Sequence, residues 1–224
     1  MKSEISILAV AAAASFASAQ TFSVIAGQTN VLLDTDTLAA AASLNLSGVS
    51  ADVIAPGDLG AGSVAFGING RDAASLPTTF RYTDGLGSFS GSIEHTGSVF
   101  FNTDTVEVGN FTIGFDADRV GGDRSGFFVE STVGIAAILF DVAAPSSLSA
   151  DAAGLSIGAD LLVSAEFGAF LFDNGLSASN LTGADVGDAL VAGVVPSPGS
   201  LVVPSPGSLA ALAGFGLIAG RRRR

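Results

Sequence analysis

Between Gln20 and Gly193 the chain is a succession of short apolar stretches separated by Gly, Asp, Asn and Ser. The clearest is Leu155 to Ser164, where Leu155, Ile157, Ala159, Leu161 and Val163 fall on one face. A period of two predicts a half-buried strand. Ile93 to Phe101 reads as a second, less regular strand. Val106, Val108, Phe111, Ile113 and Phe115 keep one face if an extra residue is absorbed near Gly109-Asn110, which predicts a bulge. Phe127 to Val133 and Ile138 to Asp141 are further strand candidates. Asp84-Gly85, Gly121-Gly122-Asp123 and Asn174-Gly175 carry the turn chemistry between them. Helix signals are few: an Ala run within Thr37 to Leu44, and Ala184 to Leu190. The pattern predicts one all-β body, an antiparallel sandwich of jelly-roll-like form with few short helices.

Composition sharpens this picture. The chain has 224 residues, enough for one mid-sized domain. It contains 16 Phe, no Trp and one Tyr (Tyr82), so Phe is expected to fill the core. The absence of Cys excludes disulfides and thiolate chemistry. The single His (His95) excludes any site built from two imidazoles of one chain.

Charge narrows the function. From Gln20 to Pro206 the chain carries 20 acidic residues against four arginines, Arg71, Arg81, Arg119 and Arg124. Such a body repels phosphate backbones, which argues against nucleic acid as a partner.

Candidate chemistry is sparse. Asp116, Asp118 and Asp123 alternate before a Gly turn, the kind of oxygen spacing that takes Ca²⁺. A calcium-binding loop of the helix–loop–helix type also needs ligands at its fifth and twelfth positions, occupied here by Val120 and Phe127. The plainer reading is a hairpin loop whose acids are balanced by Arg119 and Arg124. Glu94-His95 invites a general-base reading, but alternation along a strand sends the two to opposite sides, and no nucleophile elbow accompanies them. The expectation is a surface or half-buried strand His. Paired carboxylates for glycoside hydrolysis are expected by chance among so many acids, and Tyr82 is the lone Tyr or Trp platform for a sugar. No catalytic residue and no cofactor is assigned, Ca²⁺ being the one weak candidate.

The two ends read as addresses. Residues 1–19 hold an apolar stretch, Ile5 to Phe16, followed by Ala17-Ser18-Ala19. That order resembles a secretory signal peptide, cleaved before Gln20. Residues 194–208 form a Pro/Ser/Gly linker in which Val194 to Leu201 is repeated without change as Val202 to Leu209. Residues 209–224 join a short apolar helix candidate, Leu209 to Gly220, to Arg221, Arg222, Arg223 and Arg224. A helix of that length spans about 18 Å at ~1.5 Å per residue, short of the ~30 Å hydrocarbon core. The Arg cluster belongs on the cytoplasmic side.

This tail resembles the PEP-CTERM sorting signal of Gram-negative bacteria, on Val203, Pro204, Ser205 and Pro206 followed by the apolar helix and Arg221 to Arg224. Ser205 stands where the family most often has Glu. The resemblance covers about the last 25 residues. It implies an exported protein, passed through the secretion translocon, trimmed by signal peptidase, held transiently in the inner membrane and processed by an exosortase-type enzyme. The expected function is a non-enzymatic component of the cell surface or extracellular matrix. An exopolysaccharide-binding module is the alternative, and a secreted hydrolase the third class.

Overall fold

The computed structural model describes residues 20–196. Ala17 and Ala19 of the cleavage site, the sorting-motif residues Val203 to Pro206, the apolar segment 209–220 and Arg221 to Arg224 lie outside the described residues.

The chain begins with β1 (Thr21–Ser23), β2 (Ala26–Leu33), helix α1 (Thr35–Ala42) and β3 (Leu46–Val49). After a long loop come β4 (Val64–Gly67), β5 (Arg81–Thr83), β6 (Phe89–Ser90), β7 (Ile93–Glu94), β8 (Ser98–Phe101), β9 (Val106–Gly109) and β10 (Thr112–Phe115). The second half is built from β11 (Arg124–Ser131), β12 (Val133–Gly134), β13 (Ala137–Ala143), β14 (Ser147–Asp151) and β15 (Gly154–Val163). Helix α2 (Ala165–Asp173) and β16 (Asp185–Val194) follow.

All the strand pairings are antiparallel. The main sheet runs β4-β2-β16-β15-β13-β11-β10-β7, with β14 also paired to β15. It curls until its two edges approach. Ile68, just past β4, bridges His95, just past β7, and Asn69 N–H donates to Glu94 O at 2.8 Å. A four-stranded sheet, β12-β9-β8-β3, and a three-stranded one, β1-β5-β6, complete the body. The curl encloses a core shared by two apolar clusters. One holds Phe66, Phe101, Phe111, Leu139, Leu161 and Phe167; the other holds Phe22, Val24, Phe80, Tyr82 and Val191.

The strand predicted at Leu155 to Ser164 is β15, with Leu155, Ala159, Leu161 and Val163 buried. Other expectations change. Val106 to Phe115 is not one bulged strand but two strands in different sheets, β9 and β10. Ile93 to Phe101 divides in the same way into β7 and β8. Together the four strands make one long hairpin with a bend across both arms. Gly97 turns one arm at φ +123°, where a Cβ would also sit 2.9 Å from Val53 Cγ2. Asn110 turns the other at φ +47°, a left-handed conformation that Asn tolerates. Gly97 O accepts from Asn110 N–H at 2.8 Å, and Asn110 Oδ1 accepts from Gly97 N–H at 3.2 Å.

The helices also differ from expectation. The first starts earlier than its Ala run, because Asp34 caps it, accepting from Thr37 N–H at 2.9 Å and from Thr37 Oγ1–H at 2.6 Å. Residues 185–190, expected to be helical, are strand β16, held between β2 and β15 along its length. The second helix is instead Ala165–Asp173, capped by Ser164 Oγ accepting from Phe167 N–H at 3.0 Å. Phe167 and Leu171 bury its inner face.

Candidate functional site

His95 is not on the surface. It is 1% exposed, at the bend of the long hairpin. Phe111 O accepts twice from this residue, from His95 N–H at 2.9 Å and from the ring at Nδ1, 3.0 Å away. A carbonyl oxygen only accepts, so Nδ1 carries the proton. Nε2 is then the acceptor, and Thr29 Oγ1–H donates to it at 2.8 Å. The ring is a neutral, fully bonded strut between β2 and the hairpin bend. Burial, opposed by the bond to Phe111, lowers its pKa to about 4.

Glu94 is also buried, but its carboxylate goes elsewhere. It accepts from Ser92 Oγ–H and Thr112 Oγ1–H, each at 2.6 Å. Each of the two side chains is engaged with its own partners, and no hydrogen bond links the carboxylate to the ring.

The Asp116–Asp123 loop has a structural task. Asp116 Oδ1 accepts from Asp118 N–H at 2.9 Å and caps the turn Ala117–Arg119. The Asp123 carbonyl accepts from Ala144 N–H at 2.7 Å. Asp116, Asp118 and Asp123 are exposed, and no cluster of three or more metal-ligating side chains forms among the described residues. The arginines of this loop turn away from those acids. Arg119 Nη1 donates to Asp141 Oδ1 at 2.7 Å, and Arg119 Nη2 pairs with Glu166. Arg124 Nη1 lies 3.5 Å from Asp141 Oδ2. Asp141 is 2% exposed, so one buried carboxylate on β13 gathers two of the body's four arginines. The Arg119 guanidinium also lies 5.6 Å from the centre of the Phe128 ring. The partner of both arginines is therefore Asp141, on the apolar strand β13, and not the neighbouring acids of the loop.

Tyr82 is no sugar platform. It is 1% exposed, packs against Phe22 and Phe80, and its hydroxyl donates to Asp151 O at 2.9 Å. Burial, then the negative charges of Asp151 and Asp84, push its pKa up to about 12.

Inside the curled sheet lies a cavity of about 100 Å³. Its wall includes Phe66, Phe111, Leu139 and Leu161, with Thr29 and His95 as polar members. On the outside, Asp160 on β15 sits opposite Asp188 on β16, with Asp185 close by. Partial burial and these two carboxylates raise the pKa of Asp160.

The fold and these sites define a class: a mostly antiparallel β protein with an apolar interior, a buried neutral histidine and an acidic exterior. No family model and no curated protein matches the chain. Among solved structures, the crystal structure of the C-terminal domain of HtaA from Corynebacterium glutamicum is similar at a TM-score of 0.44 and 17% identity. The match covers 78% of this chain and 99% of that one.

Proposed function

We propose that the protein is an exported, non-enzymatic component of the cell surface or extracellular matrix, sorted through its PEP-CTERM-like tail. The observation that carries this reading is the order of the tail: Val203-Pro204-Ser205-Pro206, an apolar segment, then Arg221 to Arg224. In this scheme signal peptidase cuts before Gln20. The Arg cluster then holds the chain in the inner membrane until an exosortase-type enzyme cuts at the Pro-x-Pro motif. A signal helix before the body and a short membrane helix after it belong to the same proposal.

The fold is compatible with two removable ends. β1 begins one residue after the proposed cleavage site, and β16 ends at Val194, whose carbonyl accepts from Ile25 N–H at 3.0 Å. The entry and exit of the body are therefore neighbours. Among the described residues no helix is long and apolar enough to cross a membrane.

Glycan binding, the alternative, would call for exposed aromatic platforms. Tyr82 is buried, and so are Phe66, Phe80, Phe101, Phe111 and Phe167; among the described residues Phe115 and Phe172 are the exposed aromatic side chains that such a role would have to use.

The test follows a C-terminal tag. In the wild type it should be lost from the surface-exposed protein. Replacing Arg221 to Arg224 with Ser should yield unprocessed protein in the periplasm, and replacing Pro204 and Pro206 with Ala a membrane-retained precursor. A tag that persists on mature wild-type protein would overturn the sorting step.

A further inference from the structure

We infer that the interior of the curled sheet is a binding site for one small apolar molecule, about the size of a benzene ring. This goes beyond the surface role proposed above and does not rest on it.

The argument begins with geometry. Eight antiparallel strands, from β4 round to β7, curl until Ile68 bridges His95. A closed sheet of about eight strands has an interior just wide enough either to be filled by side chains or to hold one small ligand. Here the filling is incomplete, and about 100 Å³ is left. A water molecule needs only about 10–15 Å³ of such space, so size does not keep water out.

Chemistry does. A buried water needs two to four polar partners. The polar members of this wall are already bonded: Thr29 Oγ1–H to His95 Nε2, and His95 Nδ1–H to Phe111 O. What remains is aliphatic and aromatic surface from Phe66, Phe111, Leu139 and Leu161. Apolar cavities of this kind, about 150 Å³ in the best-known engineered case, stay dry and take up benzene or xenon. The Phe66 and Phe111 rings meet edge to face at a centroid distance of 4.9 Å. An aromatic guest can continue that arrangement. The Thr29–His95 bond therefore sets selectivity, because it uses up the hydroxyl proton and the imidazole Nε2 and leaves a guest no donor and only the Thr29 Oγ1 lone pairs as acceptor.

The experiment uses benzene and xenon on the purified full chain. Benzene at about five times its Kd should raise Tm by about 2–4 °C and shift the methyl resonances of Leu139 and Leu161. A crystal held under xenon should show one xenon atom between Phe111 and Leu139. Leu139→Phe, or Ala159→Val if that variant does not fold, should abolish the benzene shift while circular dichroism stays native. The inference is overturned if the wild type shows no Tm change up to the solubility limit of benzene. It is equally overturned if xenon is absent from the cavity, or if the filled variant responds as the wild type does.

Discussion

Thr29 Oγ1 and His95 Nε2 lie 2.8 Å apart across 66 positions of sequence, and the hydroxyl is the donor. The pair joins β2 to the bend of the β7–β10 hairpin. It fixes the neutral Nδ1–H tautomer, because the other ring nitrogen faces the Phe111 carbonyl.

This arrangement makes His95 a reporter of acid unfolding. Its folded pKa, about 4, lies below the ordinary 6.5. Above pH 6.5 the ring is neutral in both states and its contribution to stability is complete. As pH falls from 6.5 towards 4 the unfolded chain binds a proton that the folded one does not. About 3 kcal/mol of stability is lost across that window. The single His gives one imidazole resonance, which should stay at its neutral position at pH 5. A midpoint near 6.5 would show that the ring is not enclosed.

Asp141 should be the most sensitive carboxylate. Asp141→Ala leaves Arg119 facing a desolvated gap, and breaking a buried pair costs about 3–5 kcal/mol. Glu166→Gln, at the exposed end of the same guanidinium, should cost about 1 kcal/mol or less. Urea denaturation of the two variants checks the ratio. Equal effects would mean that Asp141 is solvated.

Phe111 and Phe128 separate the two faces of the main sheet. Phe111 is buried against Phe66, and Phe111→Ala should cost about 3–5 kcal/mol. Phe128 lies half-buried on the other face, over Gly114 and under Arg119, so Phe128→Ala should cost clearly less. Thermal unfolding ranks them. A larger loss at Phe128 would reverse the assignment of faces.

Asp160→Asn should stabilise. Like charges directly opposite each other on neighbouring strands are destabilising, and Asp160 faces Asp188. The folded state binds the Asp160 proton more tightly than the unfolded chain does. The penalty is therefore largest well above its raised pKa and fades as pH falls through it. Urea denaturation at pH 7 and pH 4 should show a larger gain at pH 7 than at pH 4.

Local pattern revealed β7 to β13 and β15 but not β1 to β6, β14 or β16, because alternation marks only a strand that is buried on one face along its length. It succeeded at β15, where one face meets the core along the whole strand. It failed at β16, where the stretch Ala184 to Leu190 reads as a helix and only pairing with β2 and β15 decides otherwise. It missed α2 because Gly168 sits mid-helix. A Cβ there would lie 2.5 Å from Asn180 Oδ1, a tertiary demand with no local signature. Near Gly109-Asn110 a bend and a bulge look alike in sequence, since both break a strand, and only the second sheet distinguishes them; nothing in Ile93 to Phe101 marks the matching bend at Gly97. The setting of His95 was not legible. Its partners, Thr29 on β2 and Phe111 just before β10, lie elsewhere in the chain, and nothing around Glu94-His95 announces that the ring turns inward.

The junction between Ile25 and Val194 also has a mechanical meaning. Any pull on residues beyond Val194 enters the fold through β16, which is paired on both sides, to β2 and to β15. Along the strand axis such a load acts in shear on two ladders at once, instead of unzipping bonds one after another from an edge. A body hung by that end against flowing fluid would be gripped through a strand bonded along both edges.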